Sequence, residues 1–467
     1  MVTFILNNKE VSTGKSTGSS LLDFIRYEMA LSGTKAGCRE GDCGACTVLM
    51  GTLESGSVSY KSIVSCLTPL GNINGKHIVT IEGIRFGFPS PVQKAFADNS
   101  ATQCGFCTPG FVMSATASTL TRERTTKDSV IEAMGGNICR CTGYKSIERV
   151  ADVIALLMKE KDIDNPVDWL VKNKHLPEYF LSIPERLKTI SKIHPALPVS
   201  EIAVAGGTDL LVQKADELEN INVYHLQSRE DLKGIKIGNG RCEIGAGTTF
   251  SELYKSEHLT KIIPGIASYL RLIASEPVRN MATVGGNIFN ASPIGDISII
   301  LLALDAEVLL EGTAGNRPVK LKDLFLDYKK LDIKESEFIR SVVFNYYPEP
   351  LLFNFEKVSK RTHLDIASVN SAIHIRMEGE EIFDCAASAG GVSPVPLFLR
   401  KTSAFLKGRP VTPDIITQAG NIMQGEISPI SDVRGSADYK RLLLRQLFFA
   451  HFLKLFPGRV DLPAGKL

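Results

Sequence analysis

The stretch Gly37 to Cys46, GCREGDCGAC, restricts the fold more than any other, because Cys38, Cys43 and Cys46 stand in a C-x4-C-x2-C pattern with Cys66 following. That is the plant-type spacing for a [2Fe-2S] cluster. Four thiolates must converge on two irons from a tight loop whose backbone N–H groups turn towards sulfur. Gly37, Gly41 and Gly44 supply the backbone freedom such a loop needs. Zinc, a disulfide pair or metal-free loop cysteines are the alternatives. Zinc sites usually show C-x2-C pairs separated by a longer spacer, which this pattern lacks.

A length of 467 residues suggests about three domains of about 150 residues each. With 53 basic and 51 acidic residues the net charge is +2, so nothing marks a nucleic-acid or anionic-membrane partner. The apolar run near Ile297 to Leu310 is broken by Asp305 and Glu307, and MVTFILNNKE lacks a basic n-region. No signal peptide or membrane span is expected. Ten cysteines without a secretory signal read as metal ligands in a reducing compartment, which points to the cytoplasm.

Read in order, Val2 to Leu6 and Lys9 to Ser12 form a strand pair turning at Asn7-Asn8, and Ser19-Ser20 caps a helix from Leu21 to Met29. Strands at Thr47 to Met50, Val58 to Val64 and His77 to Ile81 complete a β-grasp-like ferredoxin domain, residues 1–84. Residues 85–158 read as a helical domain. There Cys104 and Cys107 precede a helix that starts at Pro109 and ends at Leu120, where the positive end of the helix favours thiolate. Ser129 to Met134 makes a short helix, Cys139 and Cys141 follow, and Ser146 caps a helix with Ile147, Val150, Ile154 and Leu157 on one face. Taken alone, this second quartet suits zinc nearly as well as iron; behind a plant-type cluster it points to a second [2Fe-2S].

The polar stretch 159–176 with Trp169 reads as a linker, and Ser182 to Ile193 as a helix. A short strand, Ile202 to Ala205, runs into Gly206-Gly207-Thr208-Asp209, whose bare backbone can approach a pyrophosphate, though an ordinary βα turn explains it too. The Rossmann G-x-G-x-x-G is absent. A second glycine turn, RNMATVGGNI, precedes SPIGD; two such turns with an acid after the second can hold one dinucleotide. Strands at Phe353 to Phe355, Ala372 to Arg376 and Ile382 to Ala387 precede a late helix, Leu442 to Leu455. Cys242 and Cys385 read as buried hydrophobes. The absence of G-x-S-x-G, H-E-x-x-H and paired histidines argues against hydrolysis.

GCREGDCGACTV, QCGFCTPGF and GGNICRCTGY resemble the iron–sulfur domains of the molybdenum hydroxylases, the xanthine dehydrogenase and aldehyde oxidase family. AGGTDL, RNMATVGGNI and SPIGD resemble its FAD domain. The resemblance implies a multidomain α+β chain: the β-grasp ferredoxin-like domain, the helical-bundle [2Fe-2S] domain, a non-Rossmann α/β FAD-binding domain over 177–348 and an α/β C-terminal domain over 349–467. Cys38, Cys43, Cys46 and Cys66 would hold one cluster, and Cys104, Cys107, Cys139 and Cys141 the one nearer molybdenum. Gln103 would bond the pterin, although a solvated or capping glutamine explains it equally.

By the same resemblance Ala205, Gly206, Gly207, Thr208 and Asp209, with Thr283, Gly285, Gly286 and Asn287, would line the FAD pyrophosphate. Asp296 would bind the adenosine part and Lys357 would lie beside the flavin. Ile273 stands where some relatives place an aromatic residue against the isoalloxazine. Lys357 to Arg361 with Asp365 resembles a segment near the family's nicotinamide site, and a solvated loop is the competing reading. A flavin passes two electrons and each cluster one, so the parts make a short electron wire. What the resemblance implies is the iron–sulfur and FAD subunit of a two-chain xanthine dehydrogenase with NAD as acceptor. A large molybdopterin subunit would complete a heterotetramer of two small and two large subunits. An electron-transfer subunit of an aldehyde oxidase or carbon monoxide dehydrogenase, and a zinc-holding scaffold, are the rivals.

Overall fold

Val2–Leu6 and Lys9–Thr13 pair antiparallel across Asn7, which takes φ 54°, a left-handed turn value asparagine tolerates. This is a computed structural model; it describes residues 1–190 and 202–460, apart from 314, 350 and 363. The first sheet runs in the order Lys9–Thr13, Val2–Leu6, His77–Val79, Thr47–Glu54, Ser57–Val64. Val2–Leu6 and His77–Val79 are its parallel pair, the arrangement of a β-grasp fold. Ser20 caps Leu21–Asp23, its hydroxyl accepting from the Asp23 N–H at 3.1 Å. The next turn, Phe24–Glu28, is π-helical instead of continuing the expected α-helix to Met29. The Met29 N–H reaches back to the Phe24 carbonyl, and the wider turn buries both Phe24 and Ile25.

The helical part holds Pro91–Asp98, Thr108–Thr119, Lys127–Ala133 and Lys145–Leu157. Ser129 does not begin its helix; it answers Thr126 in a capping box. Ser146 does not cap the last helix either. That helix starts at Lys145 behind Tyr144, whose φ is 68°, and Ser146 is buried. The stretch expected as a linker carries its own helix, Pro166–Lys172, with Leu170 and Val171 buried in the core of the helical domain and Trp169 stacked on His175 at 5.5 Å. Lys161 is buried as well; its ammonium donates to Thr119 O at 3.2 Å, Thr121 O at 3.0 Å and Thr125 Oγ1 at 2.9 Å, closing the end of Thr108–Thr119. The helix expected over Ser182 to Ile193 is Ile183–Thr189, and 191–193 lie outside the described residues.

Two units emerge: Met1–Arg229 with Ser275–Ala282, and Glu230–Ala274 with Thr283–Leu467. In the first, Ala203–Val204 pairs in parallel with Tyr224–His225, and the segment 275–282 packs on the strand Ser57–Val64. Lys61 Nζ donates to Asn280 O and Asn280 Nδ2 to Ser62 O, both at 2.9 Å.

In the second unit one sheet runs Gly315–Lys320, Glu307–Gly312, Phe338–Asn345, Arg241–Gly245, Ile235–Gly238. The other is the antiparallel series Leu352–Val358, Val369–Glu378, Glu381–Gly390, Leu397–Phe398. Ala437–Leu455 lays Leu444, Phe448 and Phe452 on that second sheet. The apolar run near Ile297 splits into a buried helix, Asp296–Ala303, and the strand Glu307–Gly312, which is paired on both sides in its sheet. Cys242 and Cys385 sit buried within strands, as expected of small hydrophobes. Among the described residues no helix is long and apolar enough to cross a membrane.

Buried histidines give the fold an acid limit. His77 lies within 2.7 Å of the Tyr60 hydroxyl and 2.9 Å of Asn7 O, and burial pushes its pKa down to about 3. Burial also takes His225 and His374 to about 4 and, joined by Lys454, His451 to about 3. These rings stay neutral when folded and take a proton once unfolded below the ordinary value of 6.5. Their stability is therefore present above that value and is lost as pH falls, by about 1.4 kcal/mol per pH unit per ring. Denaturant melts at pH 7, 6 and 5 should show steepening loss of stability, and His77→Gln should flatten it.

Candidate functional site

Each cysteine quartet resolves into two pairs. Cys46 leads into the strand Thr47–Glu54, and Cys66 sits in the 3-10 turn Ser65–Leu67; their sulfurs are 3.3 Å apart and buried. Cys38 and Cys43 form the second pair of that quartet. The Cys43 thiol donating to it, together with the N–H groups of Glu40, Cys43 and Asp42, pulls Cys38 down to about 5, whereas Cys43 is held up by the same bond. The Cys38 N–H in turn points at Cys43 Sγ at 3.4 Å. A Cβ on Gly37 would stand 2.7 Å from Cys43 Sγ, so only glycine lets the chain close over that sulfur.

Cys104 and Cys141 meet at 3.7 Å and are exposed; Cys107, half-buried, faces the buried Cys139. Burial, then Cys139, pushes the Cys107 thiol up to about 12. Burial opposes ionisation of Cys139, yet the Thr142 hydroxyl and the N–H groups of Thr142 and Cys141 bring it below the ordinary thiol value. Thiols in twos suit a two-iron cluster, in which each iron takes two protein thiolates and the bridging sulfides complete its shell. Among the described residues no three or more His, Cys, Asp or Glu side chains share one metal position. The donor set fits two clusters better than mononuclear zinc. Gln103, expected to face a pterin, is exposed and donates to Cys141 O at 3.2 Å.

Sequence reading missed the residue that joins the quartets. Asn137, 5% exposed, donates to Gly44 O at 2.9 Å and accepts from the Ser114 hydroxyl at 2.7 Å. Its neighbour Ile138 donates its N–H to Cys43 O at 3.0 Å. Gly44, with φ 65°, lies against both Asn137 and Gly110, a Cβ on Gly110 falling 2.2 Å from Gly44 O. The two cysteine loops are thus in backbone contact, Cys43 and Cys139 being one hydrogen bond and one residue apart.

The glycine turns fall in different units. In the first unit Gly207 takes φ 79° and Asp209 accepts from Gln213 Nε2 at 2.6 Å, at the start of Leu210–Gln213. Asn72, close after Cys66, donates to Ala205 O at 2.8 Å and pairs with His225 at 2.7 Å, and a Cβ on Gly207 would run into Pro69. The turn before Leu210 is therefore fastened to the segment that carries Cys66.

In the second unit the turn Thr283–Asn287 departs from expectation. Its backbone donors are already taken: Val284 N–H by Thr248 O, Gly285 N–H by Ala246 O and Gly286 N–H by Thr283 Oγ1. The turn offers side chains instead. Thr283 caps as an acceptor and keeps its own hydroxyl proton, while Asn287 Oδ1 is fixed by Ser298 N and Oγ at 3.1 and 3.0 Å, which turns its amide N–H groups the other way.

Asp296 and Lys357, assigned to different ends of the cofactor, meet at 2.7 Å. Asn370 completes the carboxylate at 2.6 Å, and Leu272 O takes a further Lys357 proton at 3.0 Å. The two side chains thus occupy one place in the fold. Ile273, next to Leu272, is buried with no ring to stack. In the segment after Lys357, Arg361 and Asp365 pair with each other in a largely exposed loop.

Four pairs of thiols at two centres, with glycine turns and a buried lysine–aspartate pair, define an iron–sulfur flavoprotein. Residues 4–70 match the 2Fe-2S iron–sulfur cluster binding domain and 80–152 a [2Fe-2S] binding domain. Residues 179–345 match the FAD binding domain in molybdopterin dehydrogenase and 355–455 the CO dehydrogenase flavoprotein C-terminal domain. Together these matches make the chain similar, domain by domain, to the iron–sulfur and FAD region of the molybdenum hydroxylases. Xanthine dehydrogenase 1 of Arabidopsis thaliana is 27% identical over 93% of this chain and 38% of its own length. Aldehyde oxidase 1 of Cavia porcellus is 26% identical over 99% of this chain and 40% of its own. The chain thus spans about two fifths of these relatives. Among solved structures, carbon monoxide dehydrogenase from Hydrogenophaga pseudoflava is similar at 26% identity and a TM-score of 0.50, over 53% of this chain and 86% of that one.

Proposed function

We propose that this chain is the iron–sulfur and FAD subunit of a xanthine dehydrogenase, moving electrons from a molybdopterin-binding partner subunit towards NAD during purine hydroxylation. The observation that carries the reading is the two paired-thiol centres on a polypeptide that also holds an FAD-binding domain. Bound clusters supply one-electron steps and a bound flavin converts them to two-electron chemistry. This chain's residues would arrange the order. Cys104 and Cys141, exposed beside Phe106, Ile138 and Tyr144, give the second quartet an apolar rim suited to a partner subunit, with Gln103 fixed there by Cys141. The Asn137–Ile138 strap ties that quartet to the first, and the segment after Cys66 holds the turn at Ala205 to Gly207.

On this reading the divisions 1–84, 85–158, 177–348 and 349–467 are the functional domains. Thr283 and Asn287 are the side chains that meet the pyrophosphate. Asn287→Ala should weaken FAD binding about tenfold or more, the worth of one hydrogen bond to a charged group, while iron content stays unchanged; equilibrium dialysis against FAD and iron analysis check it.

Relatives that align along nearly the whole of this chain favour the xanthine dehydrogenase or aldehyde oxidase type, since clusters and flavin are fused in one order. The carbon monoxide dehydrogenase neighbour matches only about half of the chain. Purified protein should be brown, with about four irons and one flavin per chain. Its co-purifying subunit should contain molybdopterin, and the pair should form NADH from xanthine. Aldehyde or carbon monoxide oxidation in place of xanthine oxidation assigns the chain to the rival hydroxylases. A colourless, zinc-loaded protein removes the redox reading altogether.

A further inference from the structure

Between Cys139 and Tyr144 three hydrogen bonds close a ring. The Cys139 N–H donates to the Tyr144 hydroxyl at 3.0 Å, the Tyr144 N–H to Thr142 Oγ1 at 3.3 Å, and the Thr142 hydroxyl to Cys139 Sγ at 3.2 Å. A threonine hydroxyl has one proton to give, and a donor already occupying its oxygen leaves that proton to point elsewhere. Here it points at sulfur. Tyr144 reaches its place in the ring only in the left-handed region, with φ 68° and ψ −24°, which costs a non-glycine residue about 1–3 kcal/mol. That cost is met where the ring is built.

We propose that Thr142 is a positioning residue that sets the reduction potential of the second cluster, its hydroxyl favouring the more negative, electron-loaded state at Cys139. The inference rests on the reading of Cys104, Cys107, Cys139 and Cys141 as cluster ligands. The physical ground is that reduction adds one negative charge to the sulfur-bound irons, with no bond made or broken, and a donor aimed at a ligating sulfur stabilises the charged state more than the less charged one. Thr142 therefore makes this centre a readier acceptor of the first electron. Ring closure by Tyr144 keeps the donor from turning to solvent, which matters because Cys104 and Cys141 beside it are exposed.

The test compares Thr142→Val, which removes the proton, with Thr142→Ser, which keeps it, in the full chain poised with dithionite and mediators and followed by electron spin resonance. In the valine variant the one-electron equilibrium of one cluster should move about tenfold towards the oxidised form, equivalent to 59 mV. The other cluster should stay where it was, and serine should restore the parent value. Unchanged midpoints in the valine chain with full iron content, or a serine shift as large as the valine one, overturn the proposal. Should the valine chain lose the second signal, Thr142→Ala removes the same hydroxyl without the added methyl and carries the same expectation; loss of the signal in both assigns Thr142 a purely structural role. A parent chain with no second signal overturns the ligand reading, and the proposal with it.

Discussion

Cys66→Ser should halve the iron of the purified chain, from about four atoms to about two, and abolish one of two reduced-state spin signals. Cys66 is 4% exposed in a 3-10 turn and meets Cys46 at 3.3 Å, while Ser65 ties the same turn to Cys46 O at 2.8 Å. Serine preserves the shape of that turn but offers an oxygen that stays protonated where the thiol would ionise. The first centre then has three thiolates, and its loop from Gly37 to Cys46 loses what closes it. The second centre draws all four cysteines from the helical part, in pairs that do not involve Cys66, and should keep its signal. Metal binding to the native state alone adds directly to stability, so the first thermal transition should drop by several degrees. Cys242→Ala is the control: a buried cysteine inside a strand, whose loss should cost about 1–2 kcal/mol of packing and leave both signals intact. Equal iron loss in the two variants would mean the quartet is not a ligand set.

What could be foreseen divides by the range of the forces involved. The quartets were legible because ligation constrains spacing directly, and strands such as Ser57–Val64 because alternation is local. The π-turn at Phe24–Glu28 was not, since the choice between i−4 and i−5 bonding was made by the burial of Phe24 and Ile25 against the sheet. Ser146 looked like a cap because a serine precedes an apolar stripe, but the ring at Cys139 to Tyr144 makes the helix begin two residues earlier, with Tyr144 in the cap position. The turn at Thr283 had the glycines of a phosphate loop, yet Ala246 and Thr248, just past the strand Arg241–Gly245, take the N–H groups of Gly285 and Val284, a tertiary fact no local pattern carries. Asn137 gave no signal at all; its importance lies in a partner, Gly44, 93 residues away.

The lysine–aspartate pair was legible as two residues and not as one unit, and it leads to the second large expected effect. Lys357 has 2% of its side chain exposed and Asp296 11%, so neither charge is answered by water. Lys357→Met keeps much of the volume but removes the cation, leaving Asp296 with Asn370 as its remaining side-chain donor and Leu272 O without the ammonium. Breaking such a buried pair on one side costs about 3–5 kcal/mol, against at most about 1 kcal/mol for a pair in solvent. Denaturant unfolding of the flavin-stripped chain should show that larger loss in the transition that reports the second unit, with the first unit and its iron unaffected. Lys357→Met combined with Asp296→Leu removes both charges and should recover most of the stability, because the penalty belongs to the orphaned carboxylate and not to the absent attraction. FAD binding should stay weak in the double variant if the pair contacts the cofactor, and return to the parent value if its role is to hold Asp296–Ala303 against the strand bearing Lys357. A loss below about 1 kcal/mol in Lys357→Met would show that water reaches the pair and that its depth in the fold has been misjudged.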